Sequence, residues 1–234
     1  MNDLFAGFVE AAHLVLTLDN DLVEISLRSL QVSVIAVFIA SLIGLPLGAL
    51  LAVARFRYRR TVIALLNSLM GLPPVVVGLV VYLLLSRAGP FGVLDLLFTP
   101  TAMIIAQVII VTPIIASFSH QALRDLWYLY HDLLISIHTS KAQRMKALLW
   151  DGRRALLTAT LTGFGRAIGE VGAIMIVGGN IDHLTRVLTT AIALEVGKGQ
   201  FSLALGLGIV LITIAVVINL AVHSLSKTER GGVW

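Results

Sequence analysis

SHQALRDLWYLYHDLLISIHTSKAQRMKALLWDGRR, residues 119–154, is a polar run in a chain that is otherwise mostly apolar. It holds His120, His131 and His138 together with Arg124, Asp125, Asp132, Lys141, Arg144, Lys146, Asp151, Arg153 and Arg154. Long apolar segments lie on both sides of it. The chain as a whole is 58% hydrophobic and 13% charged, with a mean hydropathy of +0.96. Soluble domains carry about 25% charged residues, so this composition predicts an all-α integral membrane protein built as one membrane domain. The run is then its longest soluble segment, and such a segment between two spans serves to touch something in solution.

Outward from the run, the apolar segments can be counted. Upstream lie Thr101–Phe118, with Pro113 at its centre, and Val62–Leu85. The second contains Gly71-Leu-Pro-Pro-Val-Val-Val-Gly78, where two adjacent prolines leave carbonyls without helical donors. Such a break must face protein or a watery path. Further upstream is Leu30–Ala54, in which Gly44-Leu-Pro-Leu-Gly48 has the small-xxx-small spacing of a close packing seam, with Pro46 as a kink. Downstream come Leu156–Val177, a mixed stretch over 178–200, and Phe201–Val222. About five spanning helices result. Residues 3–18 are interrupted by Glu10 and His13 and predict an N-terminal interfacial amphipathic helix. The opening MNDLFAGFVE has no basic region ahead of an apolar stretch, so no cleavable signal peptide is expected.

The basic residues orient the spans. On one side lie Arg55, Arg57, Arg59, Arg60, those of the 119–154 run, Lys227 and Arg230; on the other are Arg28, Arg87, Arg186 and Lys198. Positive charge favours the cytoplasmic side, which gives N-terminus out, C-terminus in, and a cytoplasmic run. The same asymmetry accounts for the net charge of +4 and pI of about 9.8, so nucleic acid is not an expected partner. Cysteine is absent, which excludes thiol chemistry and disulfides.

Within the run, Leu123, Leu126, Tyr130, Leu133 and Ile137 recur at helical steps and predict one apolar helix face. Ser140-Lys-Ala-Gln143 has capping-box spacing, so a second helix starts there, with Met145, Leu148 and Leu149 on its apolar side. A helix, a tight turn and a short helix make a rigid knob on the inner membrane face. The alternative at this point is a solvated loop with helical content.

Aligned on His138-Thr139-Ser140, the knob resembles the coupling segment of ABC importer permeases. Asp132-Leu133-Leu134 falls at its Glu-Ala-Ala positions and Leu148-Leu149-Trp150-Asp151 at its Ile-x-Leu-Pro positions. His138 stands where that pattern has glycine. Asn67-Ser-Leu-Met-Gly-Leu-Pro-Pro-Val-Val-Val-Gly78, Thr99-Pro-Thr-Ala-Met-Ile-Ile-Ala-Gln107 and Gly165-Arg-Ala-Ile-Gly-Glu-Val-Gly-Ala173 resemble the molybdate/tungstate/sulfate oxyanion branch of these permeases. Gly178-Gly-Asn-Ile181 and Thr185–Leu194 are closer still to its tungstate permeases. The resemblance covers about Glu24 to His223.

This likeness implies the type I ABC importer transmembrane domain over residues 24–223, with a coupling loop at 119–154, an extracytoplasmic segment 1–23 and a cytoplasmic tail 224–234. It implies a second copy of the chain, cytoplasmic ABC ATPase subunits and an extracytoplasmic oxyanion-binding protein, in the inner membrane of a prokaryote. The chain has no Gly-x-x-x-x-Gly-Lys-Ser/Thr, so it is expected to be no enzyme and to hold no cofactor; ATP and magnesium belong to the partner ATPase. No zinc signature or other metal site is expected. Asp132, His138, Thr139, Ser140 and Arg144 are the candidate contacts with that ATPase.

Arg166 and Glu170 are the charged pair within a span, and an intramembrane charge is a functional candidate by default. From Leu156, Arg166 is about 15 Å along at 1.5 Å per residue, near mid-membrane. Two accounts stand: an i,i+4 bridge bracing the dimer interior, or an arginine lining an anion's path. Gly165 and Gly169 favour close packing of this helix at an interface, and Asn180 joins these residues as a candidate for the translocation path or dimer interface. Hydroxyls of Thr112, Thr158, Thr160 and Thr162 could line a path without holding cargo tightly. The competing function class is a stand-alone secondary anion transporter or channel, which would need internal repeats or paired broken helices about a midplane site. An intramembrane enzyme would need a convergent polar constellation beyond Arg166 and Glu170.

Overall fold

The computed structural model describes residues 16–17, 19–54 and 56–230, and among them every regular element is helical. The helices are α1 (Asn20–Val53), α2 (Arg59–Leu69), α3 (Pro74–Leu85), α4 (Pro100–Ser136), α5 (Lys141–Asp151), α6 (Arg153–Ile168), α7 (Gly172–Gly178), α8 (Leu188–Lys198) and α9 (Phe201–Arg230). A single 3-10 turn lies at Gly92–Leu94. Apart from Leu16 and Thr17, the expected interfacial helix at residues 3–18 lies outside the described residues, as do Arg55 and residues 231–234.

Three helices, α1, α4 and α9 over Phe201–Ile218, are long and apolar enough to cross a membrane as they stand. The pairs α2–α3 and α6–α7 qualify only as bent spans, bent by 98° and 60°. The first bend falls at Pro73 and Pro74, as the sequence predicts. The second was not expected: the apolar stretch Leu156–Val177 is not one helix, because α6 ends at Ile168 and α7 restarts at Gly172.

Local chemistry sets most of the boundaries. Asp19 caps α1, its Oδ1 accepting from Asp21 N at 3.1 Å and Leu22 N at 3.3 Å. Thr99-Pro100 opens α4: the Thr99 hydroxyl accepts from Ala102 N at 3.4 Å, and Pro100 takes the first helical position, where its missing donor costs nothing. From there α4 runs unbroken to Ser136, so the first helix of the knob is the continuation of a long apolar helix and not a separate element. A helix satisfies its own backbone, and the polar side chains from Ser119 onward therefore do not end it.

The chain divides into two compact units. One comprises Met1–Ile35, Pro73–Gln107 and Ala167–Asn219. Its core joins Leu22 and Ile25 of α1 to Leu188 and Ala191 of α8 and Leu207 of α9. In the same unit α3 packs on α7 almost backbone to backbone, since a Cβ on Gly78 would lie 2.7 Å from Ala173 Cα.

The other unit comprises Ala36–Leu72, Val108–Arg166 and Leu220–Trp234. Its core unites Ala49, Ala52 and Val53 of α1, Leu123, Trp127 and Leu134 of α4, Leu148 of α5 and Leu156 of α6. Leu123 and Leu148 are wholly buried, each worth about 2 kcal/mol relative to exposure to water. The Gly44–Gly48 seam closes on α4. A Cβ at Gly48 would lie 2.6 Å from Ser119 Cβ and 2.8 Å from Ala116 O, and one at Gly44 would lie 3.1 Å from Ile115 Cγ2. Those two positions admit only glycine without a shift of the neighbouring helix.

Candidate functional site

The knob is shaped by two standard helix ends set back to back. His138 adopts φ +53° just past the end of α4. Its N–H donates to Ile135 O at 2.9 Å and Thr139 N donates to Leu134 O at 3.3 Å, the paired bonds of a Schellman stop. The residue in the left-handed position of that stop is favoured to be glycine, which explains physically the glycine of the coupling-segment pattern. Immediately after, Ser140 caps α5: its Oγ accepts from Gln143 N at 3.3 Å, and Gln143 Oε1 accepts from Ser140 N at 2.7 Å. The expected capping box is therefore present. Arg144 ties the two ends together, donating from Nε to Thr139 Oγ1 at 3.2 Å with its guanidinium 5.9 Å from the Trp127 ring centre.

Of the candidate contacts in this knob, Asp132, His138 and Ser140 are exposed, while Thr139 and Arg144 are half-buried as braces of the turn. Asp132 Oδ1 lies 2.8 Å from His131 Nδ1. The apolar face differs from expectation in its second half. Leu123, Leu126 and Tyr130 pack inward together with Trp127 and Leu134, but Leu133 and Ile137 are exposed. With Tyr128 and Leu129 they give α4 an uncovered apolar end. Trp150 of α5 is likewise 73% exposed, its ring 5.1 Å from the Arg153 guanidinium.

The α6–α7 break is completed by side chains of two other segments, α4 and α8, and by its own Glu170. Ala167 O accepts from Glu170 N at 3.1 Å, three residues on, and also from Gln107 Nε2 of α4 at 3.0 Å. Glu170 O accepts from Thr189 Oγ1 of α8 at 2.8 Å. Glu170 itself is 3% exposed, and its Oε1 accepts from Ala173 N at 3.2 Å, capping α7. Arg166 sits in the last turn of α6. Each charge therefore complements a helix end: a cation where carbonyls emerge, an anion where N–H groups emerge. Glu170 lies beyond the end of α6, so the two do not share one continuous helix. Gly169 is exposed, and a Cβ added at Gly165 meets nothing within 4 Å, so this glycine face is uncovered among the described residues. Asn180, in the left-handed region at φ +51°, follows α7 with a buried side-chain oxygen.

After Asn180 the loop turns back and is pinned to the start of α1. Thr185 Oγ1 bridges it internally, accepting from Ile181 N at 2.9 Å and donating to Gly178 O. Glu24 then acts with both oxygens, one 2.8 Å from Arg28 Nη2 and the other 2.9 Å from His183 Nδ1. Arg28 also donates to Leu184 O, and Arg186 pairs with Asp182 at 2.6 Å. The Glu24 carboxylate, with Asp182 nearby, raises the pKa of His183 above its ordinary value. Gln107, Thr189 and this clamp were not singled out in the sequence. The only signal was polarity within apolar surroundings, which for Gln107 and Thr189 reads equally as an ordinary polar substitution. Among the described residues no three His, Asp or Glu side chains converge to hold a metal ion.

No family model matches the chain. It is 38% identical over 227 residues to the tungstate uptake system permease protein TupB of Peptoclostridium acidaminophilum, covering 97% of this chain and 100% of the relative. To TupB of Campylobacter jejuni it is 36% identical over 225 residues, 96% of this chain and 94% of the relative. At greater distance, 24% identity over 229 residues relates it to the molybdenum transport system permease protein ModB of Azotobacter vinelandii, covering 91% of this chain and 97% of the relative.

Proposed function

We infer the function from one premise: the chain belongs to the permease family of ABC-type tungstate uptake systems. It is the membrane-embedded subunit of an ATP-driven importer that carries tungstate, or the near-isosteric molybdate, inward across the cytoplasmic membrane. The observation that carries this is likeness running end to end through relatives of the same length, not confined to a motif. Two copies of the chain work with a pair of cytoplasmic ATPase subunits, which hold ATP and magnesium, and with an extracytoplasmic oxyanion-binding protein.

In this reading each bent pair is one span, giving five, with the N-terminus outside and the C-terminus inside. The α4–α5 turn enters a groove of the ATPase and turns its closure into movement of the spans. Asp132, His138 and Ser140 meet the ATPase, and Thr139 and Arg144 hold the turn in shape. Arg166, Glu170, Gly165, Gly169 and Asn180 belong to the region where two copies meet around the path. The clamp on residues 181–187 supports this loop as a firm outer surface for the binding protein.

The deciding experiment is reconstitution of permease, ATPase and binding protein in liposomes. Tungstate should accumulate only with ATP, and molybdate should compete more strongly than sulfate. Accumulation by the permease alone would overturn this reading in favour of a stand-alone anion transporter or channel.

A further inference from the structure

On α6, Arg154, Thr158, Thr162 and Arg166 recur at four-residue steps and so stand one above the next along one side of the helix. The opposite side is buried: Leu156 and Ala159 are covered, and a Cβ at Gly163 would lie 2.8 Å from Ile115 Cγ1 of α4. The row itself is not covered. Thr162 and Arg154 are exposed, Thr158 and Arg166 half-buried, and the space beside Gly165 is empty. Alongside the row runs a groove of about 280 Å³ between α4 and α6, lined by Thr158, Thr162, Gln121 and Phe118 among others and by no carboxylate. Hydrocarbon cannot solvate a guanidinium, so the side of α6 that carries Arg154 and Arg166 faces water or another polar surface.

The hydroxyls are arranged for transient donation. Thr158 Oγ1 donates to Arg154 O at 3.2 Å and Thr162 Oγ1 to Thr158 O at 2.8 Å. These are back-bonds to carbonyls that already serve the helix, so a hydroxyl can rotate toward a passing anion and return at little cost. Exchange between two bonds of similar strength guides an ion without trapping it. A cation stands at each end of the row, about 18 Å apart at 1.5 Å per residue.

We propose that this row is the inner half of the oxyanion's route: Arg166 receives a tetrahedral dianion, Thr162, Thr158 and Gln121 donate to it in turn, and Arg154 releases it at the cytoplasmic surface. The proposal rests on the importer function above and assigns that function its specificity-bearing groups. Tetrahedral oxyanions accept from donors on every side, which suits a lane of hydroxyls, one amide and flanking guanidinium groups. A monovalent halide or a carboxylate-bearing solute would gain less from so extended a set of donors.

The chain's lack of cysteine makes the test free of background within this subunit. Thr158→Cys and Thr162→Cys are placed one at a time in the full transporter in membrane vesicles and treated with an anionic methanethiosulfonate. The route requires modification of both thiols, slowed by tungstate when binding protein and ATP are present. Thr162→Val should lower tungstate uptake about fivefold, the effect of losing one hydrogen bond of ordinary net strength, and Thr162→Ser should restore it. Thiols inert to the reagent would overturn the proposal, whether because they face lipid or because they cross-link between two copies on oxidation. So would labelling that tungstate leaves unchanged together with normal uptake by Thr162→Val. Failure of the unmodified complex to import any oxyanion would instead remove the function on which the proposal rests, an outcome the uptake control reads separately.

Discussion

The break between α2 and α3 is made by proline and lies exposed, whereas the break between α6 and α7 contains no proline and turns Glu170 inward between the exposed Gly169 and Val171. At the first, Gly71, Leu72 and Pro73 are open to the surroundings. Gly71 N and Leu72 N donate to Ser68 O and Leu69 O at 3.1 and 3.3 Å, so the departing helix closes its own end. Pro74 then starts α3 at the position where a missing donor matters least. At the second, two carbonyls accept from Gln107 and Thr189 of distant segments, and a carboxylate caps the restart. A break completed by its own neighbours tolerates change around it. One completed by other helices ties those helices to a single geometry.

The contrast is most directly broken at the buried site. Thr189→Val leaves Glu170 O without its donor and Gln107→Leu removes one of the two donors to Ala167 O, and each should cost about 1–3 kcal/mol, the larger loss at Thr189. The thermal midpoint of the purified complex measures this. If both variants melt with the wild type, the α6–α7 break does not depend on its stitches and the distinction disappears.

The α4–α5 turn offers a third break, completed locally but with the wrong residue. His138→Gly should relieve the left-handed backbone and raise stability by about 1 kcal/mol. Retention of ATPase subunits on purification, measured on the same variant, should fall if the imidazole touches the ATPase. Unchanged retention with increased stability would leave His138 as a helix stop alone. A smaller effect is expected at the exposed break, where Pro73→Ala should change stability by less than about 1 kcal/mol. A loss as large as that at Gln107 would show that the proline break also has hidden dependence.

The Glu24–His183 clamp lies at the weak end of this scale, because its ion pairs are solvated. Glu24 raises the pKa of His183, so the folded protein holds that proton more tightly than the unfolded chain does. The contribution is complete below the ordinary histidine value of about 6.5 and is lost as pH rises through the raised value. The thermal midpoint should therefore decline on the alkaline side of that range. His183→Ala should flatten the decline relative to the wild type; an identical slope would show that the pair holds nothing.

Local signals explain what could be read in advance. Pro73 and Pro74 announce a break, Ser140 and Gln143 a helix start, Gly44 and Gly48 a seam, because each acts through its immediate neighbours. The α6–α7 break escaped because its makers, Gln107 and Thr189, are far from it in sequence, while Gly165 and Gly169 read as packing glycines. The continuity of α4 escaped for a different reason. Ser119, His120 and Arg124 look like the edge of a membrane, and a membrane edge is not a helix end. Leu133 continues the helical period of Leu123 and Leu126 but stands about 80° round from Leu123 at 3.6 residues per turn, at the edge of that face, and Ile137 follows Ser136, the last residue of α4.

Glycine at 44 and 48 sets the α1 backbone directly against Ile115, Ala116 and Ser119 of α4, with no side chain of its own there to rotate and absorb a displacement. Such a contact is a joint without play. A shift of α4 at this level meets α1 directly, and a single added methyl at Gly48 would jam the joint before it weakened the knob.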